Sequence, residues 1–235
     1  MTSNTITVIS PHIDDAVLSL GGLIDKLAPE FDIRVINIFT LSNWINPNGI
    51  FKSKYAETDT DIISGMRKAE EMESNRQLHY RSEFLDFPDR PLRDNTMPQH
   101  ELHGRIKDVI KEYLEKDSCV LFPLGVDHPD HKIIAAIGNE LFEEGHCILF
   151  YEDMPYTARK YGSGDLVKAM AVQRGLSPLS FEIDIQRKLE SIKVYESQIS
   201  EYWLTDIYNY SQKEGSSMFF EYIWCSKGFR LCLSR

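Results

Sequence analysis

Two short stretches carry the residues that could do chemistry. The first is Pro11-His12-Ile13-Asp14-Asp15, and the second is His128-Pro129-Asp130-His131. Taken singly each has an ordinary explanation. Asp14 and Asp15 before a helix serve as cap and first-turn acids, and one HxxH on a loop is weak grounds for a metal. Together they offer two imidazoles and a carboxylate, ligand types that bind Zn²⁺ and leave a fourth position for water. Zinc would bring that water to a pKa of about 7 and polarise a carbonyl. With His12, Asp15 and His131 as ligands, Asp14 could take the water's proton. His128 could stabilise the oxyanion or protonate a leaving amine, and Asp130 could orient the His128 imidazole. That set suffices for metal-assisted amide hydrolysis.

Such chemistry requires elements that bring the two stretches together. Ile6–Ile9 is an apolar run, and Val17, Leu20, Ile24 and Leu27 recur at helical spacing. The first cluster therefore sits where a strand hands over to a helix, the place where open α/β sheets bind ligands. Strands are expected at residues 33–39, 83–87, 119–122 and 147–151, and helices at 61–78, 101–114 and 132–144. Along the helix expected at 61–78 run Ile62, Met66, Ala69, Met72 and Arg76, with Asp59 or Thr60 as cap. This alternation predicts a Rossmann-like α/β fold, a mostly parallel sheet with helices on both faces. The polar stretch 40–59 reads as a long loop.

Beyond Tyr151 the pattern loosens. Strands are expected at 179–183, 218–224 and 229–233 and a helix at 185–199, while 154–175 is ambiguous. The expectation is one domain over 1–235, with a core at 1–151 and a smaller C-terminal α+β region at 152–235 forming part of the pocket wall.

Composition bounds the function. The chain has 235 residues and a net charge of −10, which disfavours nucleic-acid or anionic-membrane binding. Its apolar runs are short of the roughly 20 residues of a membrane span. No secretory leader is evident, and the four cysteines make no CxxC pair. Cys119 and Cys147 beside apolar runs suggest reduced, buried thiols. A cytoplasmic protein is expected, with homo-oligomerisation left open.

The sequence also resembles a known family. PHIDDAVLSLGG and HPDHK are similar to the two motifs of the PIG-L/LmbE-type zinc N-deacetylases, and weaker echoes lie at Arg67–Glu70, Phe84–Asp89 and Lys188–Gln198. The resemblance implies removal of an N-acetyl group from an amino-sugar-containing small molecule or conjugate. It implies one catalytic Zn²⁺ per chain on His12, Asp15 and His131, with Asp14 as base and His128 and Asp130 as helpers. It also implies that Arg67 and Asp89 touch sugar hydroxyls. Ile13 departs from the family's usual proline. No tyrosine stands just before the second motif, so Tyr151, Tyr156 and Tyr161 are the chemical candidates for another oxyanion donor. Trp44 could stack on a sugar ring. The alternatives are hydrolysis of another N-acyl amide, or a non-catalytic sugar- or nucleotide-binding module; against the latter, no GxGxxG follows the first strand.

Overall fold

In the computed structural model, residues 4–47, 59–93, 98–114, 118–161 and 165–227 are described. Their seven strands are β1 (Thr5–Ser10), β2 (Asp32–Leu41), β3 (Arg81–Pro88), β4 (Cys119–Pro123), β5 (Ile148–Tyr151), β6 (Leu176–Glu182) and β7 (Phe220–Ser226). The helices are α1 (Asp15–Leu27), α2 (Thr60–Leu78), α3 (Gln99–Lys111), α4 (Pro129–Glu143), α5 (Tyr156–Tyr161), α6 (Asp165–Gln173), α7 (Ile185–Ile192) and α8 (Glu201–Ser211).

All seven strands form one sheet in the order β3-β2-β1-β4-β5-β7-β6. β1 to β5 run parallel; β7 pairs antiparallel with β5, and β6 pairs antiparallel with β7. The expected mostly parallel α/β sheet is present. The C-terminal strands extend that same sheet instead of standing beside it.

The period-two alternation of the strands feeds two cores. Ile6, Val8, Ile33, Val35, Leu121 and Leu149 pack with α1, α7 and α8 on one face. Ile9, Ile36, Ile38, Val120, Phe122 and Phe150 pack with α3, α4 and α6 on the other. Strands clothed on both faces read as near-continuous apolar runs, which is why β1, β4 and β5 were legible.

Elsewhere the sequence misled. On α2 the expected apolar stripe points outward, with Ile62 51% and Met72 44% exposed. The buried face instead holds Arg67, Glu71, Ser74 and Asn75 beside Ile63 and Leu78. Polar partners make this possible: Glu71 accepts hydrogen bonds from Tyr195 at 2.6 Å and Asn37 at 3.3 Å, and also from Ser82. Asp59 caps the helix as expected, accepting from the Asp61 and Ile62 amides.

The late helix stops at Ile192 and does not reach Ile199. Tertiary partners claim the backbone that follows: the Ser197 amide donates to Glu70, and the Ser197 and Gln198 carbonyls accept from Asn46. The chain then turns into α8, capped by Ser200, which the sequence reading passed over. The ambiguous 154–175 holds α5 and α6. Cys147 is exposed and Cys119 half-buried, contrary to the expectation for both. The strand expected at 229–233, most of the long loop and the Gly162–Gly164 turn lie outside the described residues. Among the described residues, no helix is long and apolar enough to cross a membrane.

The glycine pair in α1 has a packing cause. A Cβ on Gly22 would lie 2.7–2.9 Å from three atoms of Ile183. Glu221 reaches the same helix turn, accepting from the Gly22 and Leu23 amides at 3.0 and 2.7 Å. Replacing Gly22 by Ala should therefore destabilise the protein, because overpacking costs about 1–3 kcal/mol against about 1 kcal/mol gained in helix propensity. At about 2–4 °C per kcal/mol for a chain of this size, differential scanning calorimetry should show a lower midpoint. A midpoint equal to that of the parent would mean that Ile183 yields freely.

Candidate active site

β1 and β4 are parallel neighbours, and the strand order reverses between them. At such a switch point the loops leaving the strands diverge and open a crevice. β1 delivers His12 and then α1, with Asp14 at its N-cap position and Asp15 in its first turn. β4 delivers α4, with His128 as N-cap, Pro129 next, then Asp130 and His131.

The two stretches meet around one atom. Asp15 Oδ2 lies 3.1 Å from His12 Nδ1 and 3.0 Å from His131 Nε2. The His12 amide also donates to it at 2.8 Å, so the strand end folds back onto its own helix. Each imidazole has its other nitrogen held by a further carboxylate: His12 Nε2 by Asp130 Oδ2 at 3.1 Å, and His131 Nδ1 by Asp153 Oδ1 at 2.6 Å. Asp130 is in turn held by the Arg93 guanidinium and the Arg90 amide. Asp153 is held by the Gly125 amide at 2.9 Å. Gly125 has φ +86°, and a Cβ there would sit 2.6 Å from that of Ala135, so glycine is required at this turn.

This corrects one assignment. The Asp130 carboxylate does not orient His128; it turns to His12. Helix capping explains the difference, because His128 Nδ1 accepts from the Asp130 amide at 3.2 Å. An imidazole that caps its own helix is already oriented, which frees the Asp130 side chain.

Burial and charge set the protonation. Burial would lower His131, but Asp15 and Asp153 overcome it and push its pKa up to about 10. Burial opposes ionisation of Asp15 too, yet the two imidazoles hold it well below the usual carboxylate range. Asp14 goes the other way: burial and the neighbouring Asp15 raise it to about 6. His128 falls to about 4 through burial and the charge of His12 and His131.

The donor set fits a divalent metal. His131 Nε2 is buried and lies off-line for a hydrogen bond, with no such partner among the described residues. A bound cation would displace the extra protons that Asp15 favours on these imidazoles; with their other nitrogens donating to Asp130 and Asp153, the two nitrogens near Asp15 would then offer lone pairs. Tetrahedral zinc places adjacent ligand atoms roughly 3.3 Å apart, close to the spacings seen. A looser grouping exists as well, since His12, His128 and His131 offer ring nitrogens within 4.8 Å of one another.

A cleft of about 240 Å³ opens over this cluster, lined by His12, Asp14, Asp15, Arg67, Asp89 and His128 on its polar side. Arg67 Nη2 lies 3.5 Å from Asp14 Oδ1. Arg67 Nε and Asp89 Oδ1 are buried without hydrogen-bond partners among the described residues. Trp44, Tyr156, Gln198 and Trp203 form other walls. Of the candidate tyrosines, Tyr151 donates to the Ile9 carbonyl at 2.9 Å and is spent there. Tyr156 packs edge-on to His131 at 5.0 Å, and the Tyr161 side chain is outside the description. Asp153, Arg93 and Trp203 went unnoticed in the sequence. Asp153 had a signal, an acid pair directly after the apolar strand 148–151; Arg93 and Trp203 had none.

The family described as GlcNAc-PI de-N-acetylase, PIG-L, matches residues 7–142, more than half of the chain and both motifs. The chain belongs to the PIG-L family. A curated relative, the 2'-N-acetylparomamine deacetylase of Streptomyces fradiae, is 28% identical over 209 residues, covering 81% of this chain and 72% of that protein. Among solved structures, the A40926 pseudoaglycone deacetylase superposes with a TM-score of 0.73 at 22% identity over 94% of this chain and 96% of its own. A zinc-inhibited form of a teicoplanin deacetylase gives 0.74 at 20% identity, over 94% and 97%. At these identities the superpositions show a shared fold.

The two ligand groupings are separable by experiment. With Asp15 as ligand, Asp15→Ala should lose stoichiometric metal after zinc loading and dialysis, whereas His128→Ala should keep it. Asp153→Asn should weaken zinc binding about 10–100-fold, the usual effect of removing a ligand's outer partner. Metal analysis of the three variants is the measurement; loss from His128→Ala with retention in Asp15→Ala would favour the all-histidine group.

Proposed function

We propose that this PIG-L protein is a zinc-dependent N-deacetylase, with one zinc on His12, Asp15 and His131, acting on a small amino-sugar-containing substrate. The observation that carries the reading is the placement of Asp15 Oδ2 between two imidazole nitrogens, each imidazole backed by its own carboxylate. Bound there, zinc would acidify a water and polarise the acetamide carbonyl.

The chain's own residues supply the rest. Asp14, raised to about 6 by burial and Asp15, is the base that takes the proton of the attacking water. It then holds that proton for the leaving amine, so that amide and water become acetate and amine. His128 is neutral at pH 7, and its Nδ1 is occupied as an acceptor. Its proton therefore resides on Nε2, which makes it a donor to the developing oxyanion. Tyr156 closes the site beside His128 and His131. Asp130 and Asp153 position the ligands.

Substrate preference follows from the walls. A cleft of about 240 Å³ is below the roughly 300–1,000 Å³ of drug-sized pockets, and suits about one sugar ring. The unpartnered Arg67 Nε and Asp89 Oδ1 suit ring hydroxyls, and Trp44 and Trp203 suit the apolar faces of the sugar. By its name the curated relative deacetylates 2'-N-acetylparomamine, which supports an N-acetylated amino-sugar substrate here.

The test is a panel of N-acetylated amino sugars and their glycosides with amine release as the readout. Asp14→Asn should keep stoichiometric zinc and lose about 10²–10⁴ in turnover; full activity in that variant would end the mechanism. Arg67→Ala should raise KM on the best substrate, and unchanged KM and kcat would remove Arg67 from the substrate site.

A further inference from the structure

The deacetylase chemistry leaves two cysteines unused, and they lie at the far end of the strands that build the site. Cys119 opens β4, and Cys147 immediately precedes β5. Val120 pairs with Ile148 in parallel register, so the cysteines stand one position earlier on neighbouring strands. The Val120 amide donates to the Cys147 carbonyl at 3.1 Å, which continues the ladder to that point. The two Sγ atoms are 3.5 Å apart. Cys147 is exposed and Cys119 half-buried, so a small reagent reaches Cys147 first.

The backbone already permits a bond. Neighbouring strands lie about 4.7–4.9 Å apart, inside the roughly 4.4–6.8 Å range of Cα separations that disulfides occupy. Only the sulfurs must approach, to about 2.05 Å. The hydrogen bond from Cys119 also draws Cys147 down to about 7, which places a large share of it as thiolate at neutral pH.

We propose that Cys119 and Cys147 are a surface dithiol that reacts with low-molecular-weight disulfides and closes into an intramolecular disulfide joining β4 to β5. In the first step the Cys147 thiolate attacks one sulfur of R–S–S–R; that bond breaks, RS⁻ leaves, and a mixed disulfide remains on Cys147. Cys119 then attacks Cys147 Sγ and expels the second RS⁻. The two protein thiols are oxidised, the small disulfide is reduced, and the two protein protons end on the two released thiols.

The position of the bridge gives it a consequence. β4 and β5 lead at their other ends to His131 and Asp153, which touch at 2.6 Å. Cys119 is four residues before the end of β4, roughly 13 Å along the strand. A bridge there clips the same two strands while leaving the cleft open.

The test uses the full chain with Cys232→Ser, since Cys232 is outside the described residues, incubated with oxidised glutathione near neutral pH. Cys225 is 2% exposed and out of reach. Intact mass and peptide mapping should show loss of two hydrogens and a Cys119–Cys147 cross-linked peptide. Cys119→Ser should trap the glutathione adduct on Cys147. Cys147→Ser should react at least about tenfold more slowly, since Cys119 is the less exposed of the two thiols. The closed form should melt several degrees higher than the reduced one. A stable adduct on Cys147 with Cys119 still free, no reaction at all, or an unmoved melting midpoint would each overturn the proposal.

Discussion

The structure depends on keeping several charges out of water at one place. Asp14, Asp15, Asp130, Asp153, His12 and His131 are all nearly buried around the switch point. Charges removed from water are costly unless they are paired and hydrogen-bonded. Here the acids alternate with the imidazoles, so that each ring nitrogen near the cluster faces a carboxylate. The outer carboxylates are completed by Arg93, Arg90 and Gly125. Asp14 is placed differently. Its neighbour is Asp15 and its nearest cation, Arg67, stands off at 3.5 Å, so burial and the adjacent carboxylate push it towards neutral pH.

Such a cluster needs a rigid frame, and the frame is assembled from remote parts of the chain. Lys188 and Glu221 form a buried pair at 2.6 Å. Glu221 accepts from two α1 amides, and Lys188 donates to the Ser19 carbonyl at 3.3 Å. A buried pair of this kind is tolerable because both partners make further hydrogen bonds to the backbone of α1. It fixes α1, and with it Asp14 and Asp15, against the C-terminal third of the chain. Glu70 and Glu71 do the same for α2, tying it to Ser197 and Tyr195. Gln198, bonded to the Trp44 carbonyl at 3.2 Å, ties the loop after β2 to the same segment. The cleft walls thus share their supports with the buried polar face of α2.

Much of the core was readable from the residues alone. Apolar runs with turn signals between them located β1, β2, β4 and β5, because a strand clothed on both faces must be apolar throughout. The two His/Asp stretches were conspicuous because they interrupt those runs at strand ends. What periodicity could not supply was any element whose buried face is polar. α2 was placed correctly along the chain but turned the wrong way, since Arg67, Glu71, Ser74 and Asn75 look like a solvated face. The helix expected to run to Ile199 had adequate spacing, but its backbone was claimed by Glu70 and Asn46.

The sequence by itself determined which imidazoles and carboxylates are available, their place at strand-to-helix junctions and the parallel order that makes those junctions share an edge. These are properties of local pattern, with periods of two and 3.6 residues. Only the tertiary structure decided which carboxylate serves which imidazole. Asp130 had to choose between His128, two residues away, and His12, 118 residues away in sequence. Local capping took the first, and the β1–β4 pairing brought the second within 3.1 Å. Asp153 reaches His131 for the same reason, through the pairing of β4 with β5. Partner choice among buried charges is set by distance in space and by competing hydrogen bonds, and neither is encoded in spacing along the chain.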